Sequence, residues 1–311
     1  MKILVTGDWH IRASNPRYRV DNYYETLMGK IKWILDLAEK EECSHILQPG
    51  DFFDSPDQSN KVEIELMELL GSYPIDFIYT IFGQHDTKWR NVGNTALQKF
   101  YVSEFVKLPL NGFLSDDNST YIYGASWEEE IPEPLNPEAI NILITHRMVV
   151  QDKPLWDQQK DYITAKSLLL KYDTYDLIIT GDNHQSFMET TTTEKKRGSV
   201  LLNCGSLMRT TIAQRDHKPC VWIYDTSLSS YKQHYIPIEP IEEVMNLELA
   251  DETKERNEGL DAFMKGLSSN YGIELKFEDN LKNVIAENEI PNNIKNIADG
   301  YIARYYEGRN L

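Results

Sequence analysis

The chain has 311 residues, 41% of them hydrophobic, which is enough to bury the core of one large α/β domain with an appendage or of two modest domains. Its three cysteines, Cys43, Cys204 and Cys220, are odd in number and form no CxxC pair, which argues against a disulfide framework or a thiolate zinc site and for a reducing compartment. A net charge of −17 argues against a broadly basic nucleic-acid binder, because phosphate contacts need Lys and Arg.

The first segment, Lys2–Thr6, is a short apolar run that ends at Gly7-Asp8. It follows the initial Met with no signal-peptide core, and no apolar run approaches the roughly 20 residues that span a bilayer. A cytoplasmic protein with no membrane partner is expected. Asp21–Glu42 has helical spacing, with Leu27, Ile31, Ile34, Leu35 and Ala38 on one face. Ser44–Gln48 reads as a strand stopping at Pro49-Gly50-Asp51, and Ser59–Leu70 as a helix. Asp76–Phe82 is strand-like and stops at Gly83; Ile140–Thr145 stops at His146. Ile163–Tyr172 is predicted helical, and Leu177–Thr180 is a strand stopping at Gly181-Asp182. Val200–Asn203, Cys220–Tyr224 and Tyr231–Ile238 are further strands.

The βαβαβ beginning followed by further strands predicts an α/β fold in which helices cover a two-sheet core. Pro237 and Pro240 then punctuate the chain, and the boundary is placed so that 1–238 forms the main domain. Residues 239–311 hold 16 acidic against 8 basic side chains, a net of −8. Helical spacing near Ile241–Leu247, Thr253–Leu267 and Ile290–Tyr306 predicts a small, mainly helical C-terminal region that caps the site or docks a partner.

The chemistry concentrates where the strands stop. Each run ends in a turn that displays Asp, His, Asn or Gln, and ligands of open α/β sheets bind outside the carboxyl ends of strands. Gly7, Gly50, Gly83 and Gly181 precede the polar groups, where a sharp turn favours a residue without a Cβ. Carboxylate, imidazole and carboxamide ligands suit hard or borderline divalent cations. A metal pair about 3.5–4 Å apart can clamp both the attacking and the leaving oxygen of a displacement at phosphorus.

The ordered segments Gly7-Asp8-Trp9-His10, Gly50-Asp51-Phe52-Phe53-Asp54, Gly83-Gln84-His85-Asp86, His146 and Gly181-Asp182-Asn183-His184 resemble the calcineurin-like metallophosphoesterase signature. GDFFDSP and Asn203-Cys204-Gly205-Ser206-Leu207-Met208-Arg209 are similar to segments of the SbcD-type DNA double-strand-break repair nucleases. The resemblance covers roughly residues 1–225, and the length is that of a compact subunit, of the kind phages encode.

This resemblance implies two divalent ions, Mn²⁺ first and Mg²⁺ second. Asp8, His10 and His184 would hold one, Asp51 would bridge, and Gln84, His146 and Asp182 would hold the other. His85 would be the general acid or transition-state stabiliser, oriented by a hydrogen bond to Asp54, and metal-activated water the nucleophile. Gln84 stands where Asn is usual and Asp182 where a first His is usual; both keep an oxygen ligand and favour Mn²⁺ or Mg²⁺ over zinc. The resemblance further implies DNA as substrate, an SMC-like ATPase partner of the SbcC type, and a homodimer.

Arg12, Arg17, Arg19, Lys88, Arg90, Arg147, Arg209 and Arg215 follow the strand ends and are candidates for DNA phosphate contacts. Two other functions compete with the nuclease: a phosphoesterase for nucleotides or other small esters, favoured by the acidic balance, and a non-catalytic DNA-repair scaffold whose site has drifted.

Overall fold

The computed structural model describes residues 1–74, 78–109, 113–114, 119–191, 198–250 and 252–253. The chain divides into two units, Met1–Met245 and Asn246–Leu311. The predicted helices Thr253–Leu267 and Ile290–Tyr306 lie outside the described residues. The fold below is that of the first unit.

In chain order the elements begin with β1 (Lys2–Val5), α1 (Tyr23–Lys40), β2 (His45–Leu47), α2 (Asn60–Gly71), β3 (Ile78–Tyr79) and α3 (Ala96–Val102). There follow β4 (Phe113–Leu114), β5 (Thr120–Ala125), β6 (Ile140–His146), β7 (Val149–Val150), β8 (Ile163–Thr164) and α4 (Ala165–Lys171). The last are β9 (Leu177–Gly181), β10 (Phe187–Thr191), β11 (Ser199–Asn203), β12 (Cys220–Asp225), β13 (Ser230–Tyr235) and the short α5 (Ile241–Val244).

Two sheets result. One has the order β13-β12-β1-β2-β3 and the other β10-β11-β9-β6-β5-β4. β1, β2 and β3 run parallel, as do β5, β6, β9 and β11, so the ligand-bearing strands of each sheet end on one edge.

The inner strands β1, β2, β6, β9 and β11 are buried on both faces, and their alternation sorts side chains into layers. Ile3, Val5 and Leu47 of the first sheet meet Ile142, Ile144, Leu177, Ile179 and Leu202 of the second in the middle layer. Leu4 and Ile46 point the other way, into a core with α1, α2 and α3. Leu143, Ile178 and Leu201 pack beneath α4. The architecture is therefore helix, sheet, sheet, helix, as expected. Each fully buried aliphatic side chain contributes about 1.5–3 kcal/mol, so the double layer fixes the strand ends firmly.

Local chemistry sets the helix starts. Asn22, Ser59, Thr95 and Thr164 each accept a backbone N–H at the N-terminus of α1, α2, α3 and α4. The predicted helix Ile163–Tyr172 begins later than its periodicity suggests. Ile163 and Thr164 pair with β7, and Thr164 becomes the cap.

Candidate metal centre

Main-chain bonds draw the strand ends together. His10 N–H donates to the Asp51 carbonyl (2.9 Å) and Ile11 N–H to the Phe52 carbonyl (3.0 Å), so the first two segments run side by side. Asp182 N–H crosses from the second sheet to Asp8 Oδ2 (2.9 Å). His146 Nδ1 donates to the Pro49 carbonyl (2.7 Å), locking its tautomer and leaving Nε2 as the ligating nitrogen.

Several of the candidate ligand atoms lie close together. His10 Nε2 and His184 Nε2 lie 3.0 Å apart, and Asp8 Oδ2 is 3.8 Å from the latter. Asp51 Oδ2 lies 3.3 Å from His146 Nε2 and 3.7 Å from His10 Nε2, a position suited to a bridging ligand. Asp8, His10 and His184 are close enough together to hold a metal ion, and so are His10, Asp51 and His85, a second group that shares His10. Gln84 Nε2 donates to Asp182 Oδ1 (3.3 Å), so these two residues face each other. Only Oε1 of Gln84 can coordinate a cation, so that bond has to break when Gln84 acts as a ligand.

The residues fit a pair of cations on a further ground. Asp8 Oδ1 is buried without a hydrogen-bond partner among the described residues, and the buried Asp51 Oδ2 and His146 Nε2 face each other at 3.3 Å. Acceptors buried against one another are costly unless a proton or metal lies between them. The charges show the same tension. Burial works against protonation of His146, but Asp51, followed by Asp8 and Asp182, overrides it and holds the imidazole up at about 10. Burial lowers His10 to about 3 and His184 to about 4, leaving both neutral and ready to ligate. Burial also raises Asp8 and Asp182. Bound divalent cations reverse this logic and keep the carboxylates ionised.

The glycines work differently from the sequence argument. Among Gly7, Gly50, Gly83 and Gly181, only Gly50 takes a left-handed conformation (φ 92°). The residues that do so beside it are ligands: His10 (φ 46°), Asp51 (φ 48°) and Asp182 (φ 76°). The other three glycines permit close approach. A Cβ on Gly83 would lie 2.2 Å from Asp51 Oδ1, and one on Gly181 would lie 2.6 Å from Asp8 Oδ1.

His85 also departs in detail. Its Nδ1–H donates to the main-chain carbonyl of Asp54 (2.9 Å) rather than to the carboxylate. The Asp54 carboxylate instead pairs with Arg12 Nη1 (2.8 Å) and lies 3.7 Å from His10 Nδ1. His85 is still oriented by Asp54, with Nε2 left for chemistry.

The proposed ring of DNA-contacting cations needs correction. Arg19 and Arg209 are buried, and Arg19 is spent on Asp21 and on the Arg209 carbonyl. Lys88 pairs with Asp57 and Arg90 with Glu128, and Arg147 donates to the Glu129 carbonyl. Arg17 and Arg215 are the exposed members of the set with no carboxylate partner among the described residues. For Lys88 and Arg90 the reason is tertiary: the acids that claim them, Asp57 and Glu128, come from other loops.

Two supporting residues were missed. Asp86 is fully buried, and its carboxylate accepts from Phe52 N–H (3.1 Å), Phe53 N–H (2.9 Å) and Gly83 N–H (3.0 Å), tying two ligand loops together. The GQHD segment contained that signal. Gln214 reaches back to Ser206 Oγ (2.8 Å) and His184 Nδ1 (3.3 Å), and nothing in its local sequence marks it.

A cavity of about 810 Å³ opens beside the centre, lined by Asp182, His184, Trp156, Lys218, Gln233 and Tyr235. Among known proteins, the calcineurin-like phosphoesterase family model matches residues 1–186. No curated protein matches this chain. Similar solved structures include a Thermus thermophilus protein, at 11% identity and TM-score 0.47, covering 76% of this chain and 99% of that one. A dimetal phosphatase from Danio rerio is similar at 11% identity and TM-score 0.45, over 77% and 99% of the two chains.

Proposed function

Since the chain belongs to the calcineurin-like phosphoesterases, a metal-dependent hydrolase group, we propose that it is a two-metal nuclease that cleaves DNA phosphodiesters with an SMC-like ATPase partner of the SbcC type. The observation that carries the hydrolytic reading is the convergence of the buried Asp8, His10, Asp51 and His146, with Asp8 Oδ1 left without a hydrogen-bond partner among the described residues. The GDFFDSP and Gly205–Arg209 segments support the nuclease reading, and the large cavity beside Asp182 and His184 has room for nucleotides.

In this reading Asp8, His10 and His184 hold one ion, Gln84, His146 and Asp182 the other, and Asp51 both. Manganese fits the oxygen-rich second shell, and magnesium fits it next. The ions supply charge stabilisation at phosphorus and activate water at neutral pH. The chain's own groups do the rest. His146, held by the Pro49 carbonyl, and Asp51, held through Oδ1 by His85 N–H (2.8 Å), cannot swing away. His85 Nε2 delivers a proton to the leaving oxygen, because its Nδ1–H stays on the Asp54 carbonyl. The homodimer belongs to the same proposal.

A small-phosphoester substrate is the second reading. It is favoured by the carboxylates that already neutralise Arg12, Lys88 and Arg90. Incubation with Mn²⁺ and linear or single-stranded DNA, beside bis(p-nitrophenyl) phosphate, separates the two. Cleavage of the small ester alone refutes the nuclease. Equal activity of wild type and His85→Ala, at background on both substrates, refutes hydrolysis and leaves the non-catalytic scaffold.

A further inference from the structure

A second polar cluster lies apart from the metal ligands. Lys30 occupies the apolar stripe of α1 and is buried beside Leu27, Ile31 and Ile34. A lysine there is expensive unless its charge is matched. Arg19 and Arg209 are buried next to it, and all three line one pocket of about 190 Å³. Trp33, Ile236 and Val244 form apolar parts of its wall.

The charges do not balance within the pocket. Asp21 is the carboxylate that pairs with the cluster, and it is saturated by Arg19 Nε (2.7 Å), Arg19 Nη2 (2.5 Å) and the Thr26 hydroxyl (2.7 Å). Lys30 Nζ donates to the Leu207 carbonyl (3.1 Å), and Arg209 to the carbonyls of Glu239 and Arg215. Neutral carbonyls orient these cations without cancelling their charge. Glu242 acts on Arg209 but is exposed. Burial, then Arg19 and Arg209, push the Lys30 ammonium down to about 7, and they also lower Arg209. Glu239 also lines the pocket but is exposed, so the strain is that of positive charges lacking a buried counter-charge.

Gly29 supplies an independent sign. It sits inside α1, where glycine costs about 1 kcal/mol relative to alanine. A Cβ there would meet nothing within 4 Å, so packing does not demand the glycine. It does line the pocket, and its bare backbone keeps that space open. The volume is below the roughly 300–1,000 Å³ of pockets for drug-sized ligands, which selects a small group. Two or more converging cations of the Arg and Lys type suit a tetrahedral oxyanion.

We propose that this pocket binds a phosphate-sized oxyanion through Lys30, Arg19 and Arg209, at a site distinct from the metal centre. The anion is either free phosphate or the terminal phosphate of a nucleic-acid strand. The pocket is joined to the centre through one residue: Lys30 holds the Leu207 carbonyl, while Leu207 N–H donates to the Asp8 carbonyl (2.8 Å).

The test follows thermal unfolding of the full chain as purified. Potassium phosphate is titrated against potassium chloride at equal ionic strength, and a 5′-phosphorylated trinucleotide against its unphosphorylated form. One of the two phosphate probes should raise the wild-type Tm with the logarithm of its concentration above Kd, by roughly 3 °C at a tenfold excess over Kd. Lys30→Met should remain folded without the rise. Gly29→Glu, which places a carboxylate in the pocket, should lose the rise as well and so covers a failure of the first variant to fold. Which probe works assigns the source. No phosphate-specific rise with either probe, or the same rise in both variants, overturns the proposal; the latter result assigns the anion to the metal centre.

Discussion

Gly83→Ala isolates the demand that the metal centre makes on its backbone. A Cβ at this position would stand 2.2 Å from Asp51 Oδ1 and 2.3 Å from Asp51 N, whereas real Cβ atoms essentially never come within 3.0 Å. The Asp51 carboxylate, the proposed bridge, must therefore retreat by at least 0.8 Å, the difference between 2.2 and 3.0 Å. Rotating the side chain gives no relief, because the Asp51 main chain is equally close. A displacement of about 1 Å at a catalytic group costs on the order of 100-fold in rate, and overpacking costs about 1–3 kcal/mol of stability. Hydrolysis of bis(p-nitrophenyl) phosphate should fall about 100-fold, with bound metal lost by elemental analysis and a lower urea midpoint. Gly29→Ala is the matched control: its Cβ meets nothing, so it should stabilise by up to about 1 kcal/mol with unchanged turnover. A Gly83→Ala protein that holds two ions and works within threefold of wild type would refute the placement of Asp51 as the bridge.

Other residues give separate readings. Asp86→Ala strips three buried N–H donors of their acceptor and should cost about 3 kcal/mol or more in urea unfolding, with an unchanged midpoint counting against the knot. Asp182→Ala should halve the metal content under Mn²⁺ while leaving the ion at Asp8, His10 and His184, and two retained ions would remove Asp182 from the ligand set. Because burial depresses His10 to about 3 and His184 to about 4, protons compete poorly for these nitrogens between pH 4 and 6.5. One ion should therefore persist at pH 5.5 in a manganese titration, and loss with a midpoint near 6.5 would contradict the buried geometry.

The ligand positions were legible because each follows an apolar run, and apolar runs reveal strands. What such runs cannot reveal is who meets whom. Asp54 was rightly linked to His85, yet the link is its carbonyl, since Arg12 takes the carboxylate. Arg19 looked like a surface cation until its bond to the Arg209 carbonyl placed it inside, a contact across 190 residues of sequence. The glycines were recognised for the wrong reason at three of four places, because close approach leaves no trace in local sequence. β10, with its half-exposed Met188 and Glu189, lacks the continuous apolar character that marked the inner strands, and it was missed.

The imidazoles of His10 and His184 touch although 174 residues separate them in the chain. A binding site of that kind has no local precursor: an unfolded or half-synthesised polypeptide offers a cation nothing resembling it, unlike a compact finger that gathers its ligands from one short loop. Metal capture is then the last event of maturation, available only once both sheets have docked. An ion would then be drawn from the free-metal pool once folding finishes, and the cavity beside Asp182 and His184 would leave it open to exchange.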